Sequence, residues 1–175
     1  MPKILENVRE KILAEAESQV FTLGYSAMTI RSVAKACGIA TGTVYNYFPS
    51  KEMLVASFMV DDWLKALKGI KDEAEMAESA EGMLRAVWDG VSAFTIEHAA
   101  VFADPEAVKG YSGAHGERHM MLVGQICDVM DPYIEKYAKE RTPHFSEFIA
   151  EALLNWVMSG RDFAEFINIT AKLFN

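Results

Sequence analysis

The densest chemistry in this chain lies between positions 29 and 51. Thr29, Thr41, Thr43, Tyr45, Asn46 and Tyr47 offer hydroxyl and amide groups there. Arg31, Lys35 and Lys51 add three positive charges, and no Asp or Glu interrupts them. Side chains of these types bond phosphate oxygens and base edges, and a threonine methyl can meet a thymine methyl. Gly42 lacks a side chain, which lets a backbone approach closely. Lys51 follows Phe48-Pro49-Ser50, where its ammonium and the first amides of a following helix could hold a phosphate. Some of these positions have second readings. Thr29 can cap a helix through its side-chain oxygen, with a phosphate contact as a secondary role. Arg31 could meet a phosphate or a base, and Tyr45 could serve partly in packing.

The elements that must position these groups are legible in the apolar spacing. Val33, Ala34 and Cys37 give a short helix a narrow apolar face, and Ala34 is small enough for a second helix to cross closely. Gly38 supplies a tight turn and Ile39 plugs the angle. Thr41 opens the next helix, with Val44 and Phe48 pointing inward. Two short helices joined by a glycine turn form a helix-turn-helix, whose second helix can enter a DNA major groove. An amphipathic stripe of Ile4, Val8, Ile12, Leu13, Ala16, Val20 and Phe21 precedes it, stopped by Gly24.

Beyond residue 51 the apolar positions keep helical spacing. Stripes run over 51–70 and over 79–100, the latter through Met83, Leu84, Val87, Val91, Phe94 and His98. Asp104-Pro105-Glu106 reads as a helix start, with Gly110 and Gly113 as stops. A segment over 114–139 contains Pro132, which is expected to kink or split it near Asp131. Helices are expected over 143–159 and 162–174, separated by Gly160. No strand alternation is present. The reading is all-α, about nine helices in all: a three-helix N-terminal domain over 1–48 and a helical C-terminal domain over 49–175.

The N-terminal segment resembles the DNA-binding domain of the TetR family of bacterial transcriptional regulators. The resemblance rests on Gly24-Tyr25, on Thr29-Ile30-Arg31-Ser32-Val33-Ala34 with Gly38-Ile39, and on Thr43-Val44-Tyr45-Asn46-Tyr47-Phe48 followed by Ser50-Lys51-Glu52-Met53-Leu54. It covers roughly the first third of the chain. It implies DNA contacts at Arg31, Thr41, Gly42, Thr43, Tyr45, Asn46 and Tyr47, with a phosphate contact at Lys51. It further implies a homodimer on a pseudo-palindromic operator, a C-terminal cavity for a small organic effector, and a repressor released when that effector binds. No cofactor or metal is expected, and no enzymatic activity.

Candidates for that cavity are Trp88, Phe94, His98, Phe102, Tyr111, Met120, Met121 and Tyr133, since pockets are mostly apolar with a few polar fixtures. Taken singly, each reads more readily as ordinary core than as a ligand contact. Phe145, Phe148, Ile149, Ala152, Leu153, Trp156, Phe163, Phe166 and Ile167 make the last two helices apolar on more than one side. Such helices need a second partner, and a twofold four-helix contact supplies it. The alternatives are a family member without an effector, and a helical metal-binding protein or enzyme using His115 and His119, which stand at i and i+4. The pair is not His-Glu-x-x-His, because Glu117 occupies the middle position.

Composition bounds these readings. The 175 residues carry 17 Lys+Arg and 25 Asp+Glu, a net charge of −8 that by itself argues against nucleic acid. The charge is uneven. Residues 1–60 hold six basic and five acidic side chains, +1, whereas residues 61–175 hold eleven and twenty, −9. No transmembrane run or secretory leader is read, and Cys37 and Cys127 match no metal or redox spacing. A cytoplasmic protein that does not touch membranes is expected.

Overall fold

The computed structural model describes residues 7–111, 115–137 and 142–174, with side chains at 7–109, 118–136 and 142–174. All regular structure among them is helical. The order is α1 (Val8–Leu23), α2 (Ile30–Cys37), α3 (Thr41–Tyr47), α4 (Lys51–Glu75), α5 (Ala80–Glu97), α6 (Ala99–Phe102), α7 (Pro105–Tyr111), α8 (His115–Tyr137), α9 (Phe145–Met158) and α10 (Phe163–Phe174). No helix among the described residues is long and apolar enough to cross a membrane.

The chain divides into two compact units, Met1–Asp62 with His98–Gly113, and Trp63–Glu97 with Ala114–Asn175. They differ in extent from residues 1–48 and 49–175. The division falls inside α4, and α6 and α7 join the N-terminal unit.

In the N-terminal unit, α1 packs on α2, α2 on α3, and α6 on both α1 and α7. Ile12, Ala16, Val20, Tyr25, Met28, Val33, Val44, Leu54 and Val55 are wholly buried together, and Val101 and Ala107 complete the same core. His98 does not continue the α5 stripe as its spacing with Val91 and Phe94 suggested. α5 ends at Glu97, and His98 caps α6. Its ring is wholly buried, edge-on to Phe21 and stacked near Phe58, with Nε2 3.3 Å from Asp62 Oδ2. A buried imidazole needs such a polar partner.

In the C-terminal unit, α5 packs on α8, α9 and α10, and α9 packs on α8 and α10. Trp63 from the second half of α4 meets Phe94 edge-on and donates from Nε1 to Gln125 Oε1 at 2.8 Å. Trp88 lies against Phe163 and Phe166. Pro132 does not split α8, which runs unbroken through it. Proline removes one hydrogen bond from a 23-residue helix, and the neighbouring turns are held by the buried side chains Met130 and Ile134.

At Gly90 the helices α4 and α5 approach closely. A Cβ there would lie 2.1 Å from Ile70 Cγ1, and Gly124 on α8 has nothing within 4 Å of such an atom. Gly90→Ala is therefore expected to destabilise by about 1–3 kcal/mol. Gly124→Ala is expected to be neutral or to stabilise by up to about 1 kcal/mol through helix propensity. Denaturant midpoints of the two variants check this.

Candidate nucleic-acid interface

The helix-turn-helix is built from local signals. Thr29 Oγ1 accepts from the Ser32 backbone N–H at 3.0 Å, and Ser32 Oγ faces the Thr29 N–H at 3.1 Å, a reciprocal cap that starts α2. Ser32 Oγ also lies 2.5 Å from Oε1 of the buried Gln19, whose Nε2 donates to Glu15. Gly38 ends α2 with φ +68°, the left-handed region that favours glycine. The Ile39 N–H then returns to the Ala34 carbonyl at 3.0 Å. Val33, Ala34 and Val44 are buried at the crossing of α2 and α3, with Phe48 closing it and Ile39 half-buried beside it.

With α3's inward side taken up by Val44, the remainder of the helix faces out. Tyr45 and Tyr47 are 50% and 47% exposed. Gly42 and Asn46 are exposed too, and Thr41 and Thr43 are half-buried. Thr29 and Arg31 are exposed at the start of α2. The hydroxyls, amide and cation gathered from sequence are thus at least partly accessible, although the Thr29 oxygen is committed to its cap.

Lys51 is different. Its ammonium sits 4.2 Å over the ring of the buried Tyr25, 3.5 Å from the Ser26 carbonyl and 3.7 Å from Glu106 Oε2. Ser26 is in turn fixed by Asp104, whose Oδ2 accepts from Ser26 Oγ at 2.7 Å and from its N–H at 3.1 Å. The other oxygen caps α7 through the Glu106 and Ala107 N–H groups. Burial, followed by the carboxylates of Glu52, Glu106 and Asp104, pushes the Tyr25 hydroxyl up to about 12. The Asp104-Pro105-Glu106 helix start was legible, but nothing local signals that Asp104 also reaches Ser26, 78 residues earlier.

Residues 12–58 match the model of the family described as bacterial regulatory proteins, tetR family. The match makes residues 12–58 a TetR-type N-terminal domain, spanning most of α1, all of α2 and α3 and the start of α4. Among curated relatives, the HTH-type transcriptional regulator UidR of Escherichia coli (strain K12) is 21% identical over 145 residues. That alignment covers 83% of this chain and 64% of UidR, so the chain spans less than two thirds of that relative. The fold is shared with SCO7518 of Streptomyces coelicolor A3(2), with a TM-score of 0.70 at 15% identity over 95% of this chain and 98% of that one. It is shared as well with Thermus thermophilus FadR, a TetR-family repressor solved with lauroyl-CoA. There the TM-score is 0.61 at 18% identity, over 95% and 92% of the two chains.

The pocket candidates fall in both units. His98 and Phe102 belong to the N-terminal unit, and Trp88, Phe94, Met120, Met121 and Tyr133 to the C-terminal one. Trp88 and Phe94 are buried in aromatic contacts, whereas Met120 and Met121 are 54% and 45% exposed. The Tyr111 side chain lies outside the described residues. A cleft of about 310 Å³ occurs instead between α8 and the start of α9, lined by Cys127, Asp131, Ile134 and residues 142–147. Burial and the carboxylates of Asp131, Glu147 and Asp128 push its Cys127 thiol up to about 11, so it stays protonated at neutral pH.

Of the interface candidates, Ile149, Leu153, Phe163 and Phe166 are core, and Phe148 is 61% exposed. Phe145, Ala152, Trp156 and Ile167 are half-buried. Phe145 meets Phe174 edge-on, and Arg161 stacks over Trp156 at 4.5 Å. Ile169 and Leu173 add exposed apolar area on α10. His119 Nε2 is 2.8 Å from both Glu151 carboxylate oxygens, and the His115 side chain lies outside the described residues. No group of three or more metal-ligating side chains occurs among the described residues.

The Asp104 carboxyl is held below its ordinary value of 3.8, first by the Ser26 hydroxyl and then by the backbone N–H groups of Ala107, Glu106 and Ser26. A depressed folded-state value stabilises the fold above the unfolded one, and that contribution is lost as pH falls through the folded value. Asp104→Asn is therefore expected to be less stable than the parent at pH about 7, with the gap closing below pH about 4. Urea midpoints across that range check it, and parallel pH profiles would remove Asp104 from the acid transition.

Proposed function

We propose that this chain is a one-component, DNA-binding transcriptional regulator that acts as a homodimer on a pseudo-palindromic operator. The observation that carries the reading is the outward face of α3. Thr41, Gly42, Thr43, Tyr45, Asn46 and Tyr47 project from a crossing whose apolar side is fully used, within a stretch that contains no carboxylate. The side chains suit base edges and phosphates, with Thr29 and Arg31 at the start of α2 and Lys51 at the start of α4. Similarity to UidR supports the regulatory role. The protein works in the cytoplasm without a cofactor and catalyses no reaction.

Dimerisation follows from geometry as much as from affinity. Recognition helices must lie about 34–36 Å apart to enter successive major-groove turns, and a lone head does not fix that spacing. The exposed apolar side chains Phe148, Met158, Ile169 and Leu173 on α9 and α10 are the surface proposed to meet a second copy.

Tyr45→Ala/Asn46→Ala removes two exposed side chains, so the variant is expected to keep its helical circular dichroism. Affinity for the duplex flanking its own gene is expected to fall at least tenfold by anisotropy titration. Unchanged affinity would refute the assignment of α3 as the reading helix.

The regulator is further proposed to be a repressor released by a small organic effector held among α5 and α8 side chains such as Trp88, Phe94 and Tyr133. The lauroyl-CoA bound by Thermus thermophilus FadR makes fatty acyl-CoAs a first choice for screening. An effector at 100 times its dissociation constant should stabilise the native state by about 2.7 kcal/mol and weaken operator binding. Thermal-shift titration with acyl-CoAs and aromatic acids checks this. Absence of any shift would favour the alternative of a regulator without an effector.

A further inference from the structure

The surroundings of Lys51 go beyond a phosphate-binding lysine. Its side chain is 17% exposed, and the ammonium is held from below by the Tyr25 ring and the Ser26 carbonyl. The third neighbour, Glu106 Oε2 at 3.7 Å, is of another kind. It is a carboxylate from α7, and its side chain is 60% exposed. Its position is set independently of Lys51. Asp104 ties the first turn of α7 to Ser26 with two hydrogen bonds and caps that turn with two more. Ala107, one residue on, is wholly buried in the core of the same unit. The backbone that carries the carboxylate is thus docked beside Lys51.

We propose that Glu106 is a built-in competitor for the DNA phosphate at Lys51, neutralising the ammonium in the free protein and yielding it only when a phosphate takes its place. This rests on the DNA-binding reading above. Tyr25 and Ser26 suffice to seat the ammonium, so Glu106 adds opposing charge and little positioning. A half-exposed ion pair is weak, which makes the competition graded and not a block. Its effect is to lower sequence-independent attraction, because each lysine that is already paired releases fewer counterions when DNA binds.

The test is anisotropy titration of the full chain on a random-sequence duplex over a salt series, using the parent, Glu106→Gln, Lys51→Gln and the double variant. Glu106→Gln is expected to bind up to roughly fivefold tighter per reading head at low salt. Its log K against log salt slope should be steeper by up to about one per head. The gain should vanish in the Lys51→Gln background. An unchanged affinity, or an equal gain without Lys51, would overturn the role of Glu106 while leaving DNA binding intact. Failure of the parent to bind any duplex at low salt would overturn the DNA-binding reading and this inference together.

Discussion

The N-terminal unit depends on how closely α2 and α3 can cross. Ala34 and Val44 are buried there with almost no exposure, and Val33 and Phe48 belong to the same core. A bulkier residue at 34 would push α3 outward, because cores tolerate added volume poorly. The turn leaves little freedom either, since Gly38 occupies a left-handed conformation and the Ile39 N–H is tied back to α2. With one side of α3 consumed by this crossing, every other side chain on the helix is at liberty to be polar. A seven-residue helix with a single buried residue has no stability of its own. Its direction in space is imposed by packing, and so is the direction of Tyr45, Asn46 and Tyr47.

This explains what could be read from the sequence. The Thr29 cap, the Gly38 turn, the inward Val44 and Phe48 and the Asp104-Pro105 helix start are all signals within four residues of the position they govern, and all appear in the fold. The positions that escaped are settled by partners far along the chain. His98 shares a spacing with Val91 and Phe94, yet the helix breaks before it and the ring meets Asp62. The second oxygen of Asp104 finds Ser26, and Lys51 finds Tyr25 and Glu106. Pro132 leaves α8 continuous, because the buried Met130 and Ile134 hold the turns on either side of it. The aromatic residues of the C-terminal unit carry no label at all. A tryptophan pressed on a neighbouring ring and one lining a cavity read alike in one dimension.

The charge pattern gains a physical meaning from the structure. The net −8 is the sum of a nearly neutral N-terminal third and a strongly acidic remainder, and residues 29–51 contribute only cations. One of those cations, Lys51, is partly cancelled by a carboxylate from outside the helix-turn-helix. For the proposed operator complex, this means little attraction to duplex of arbitrary sequence and repulsion between the acidic remainder and DNA. Affinity must then come from correct placement of two heads at once, where tethering supplies the effective concentration.

The N-terminal unit is also discontinuous. Its core is closed by Val101 and Ala107, and its polar ties run to His98, Asp104 and Glu106, all encoded well after α3. During synthesis the helix-turn-helix therefore emerges from the ribosome long before its own core can be completed. Docking of α6 and α7 must wait until the whole of α5 has been made. A graft of this head onto another body that stopped at residue 62 would lack Val101 and Ala107 from its core, so the portable unit includes residues 98–109.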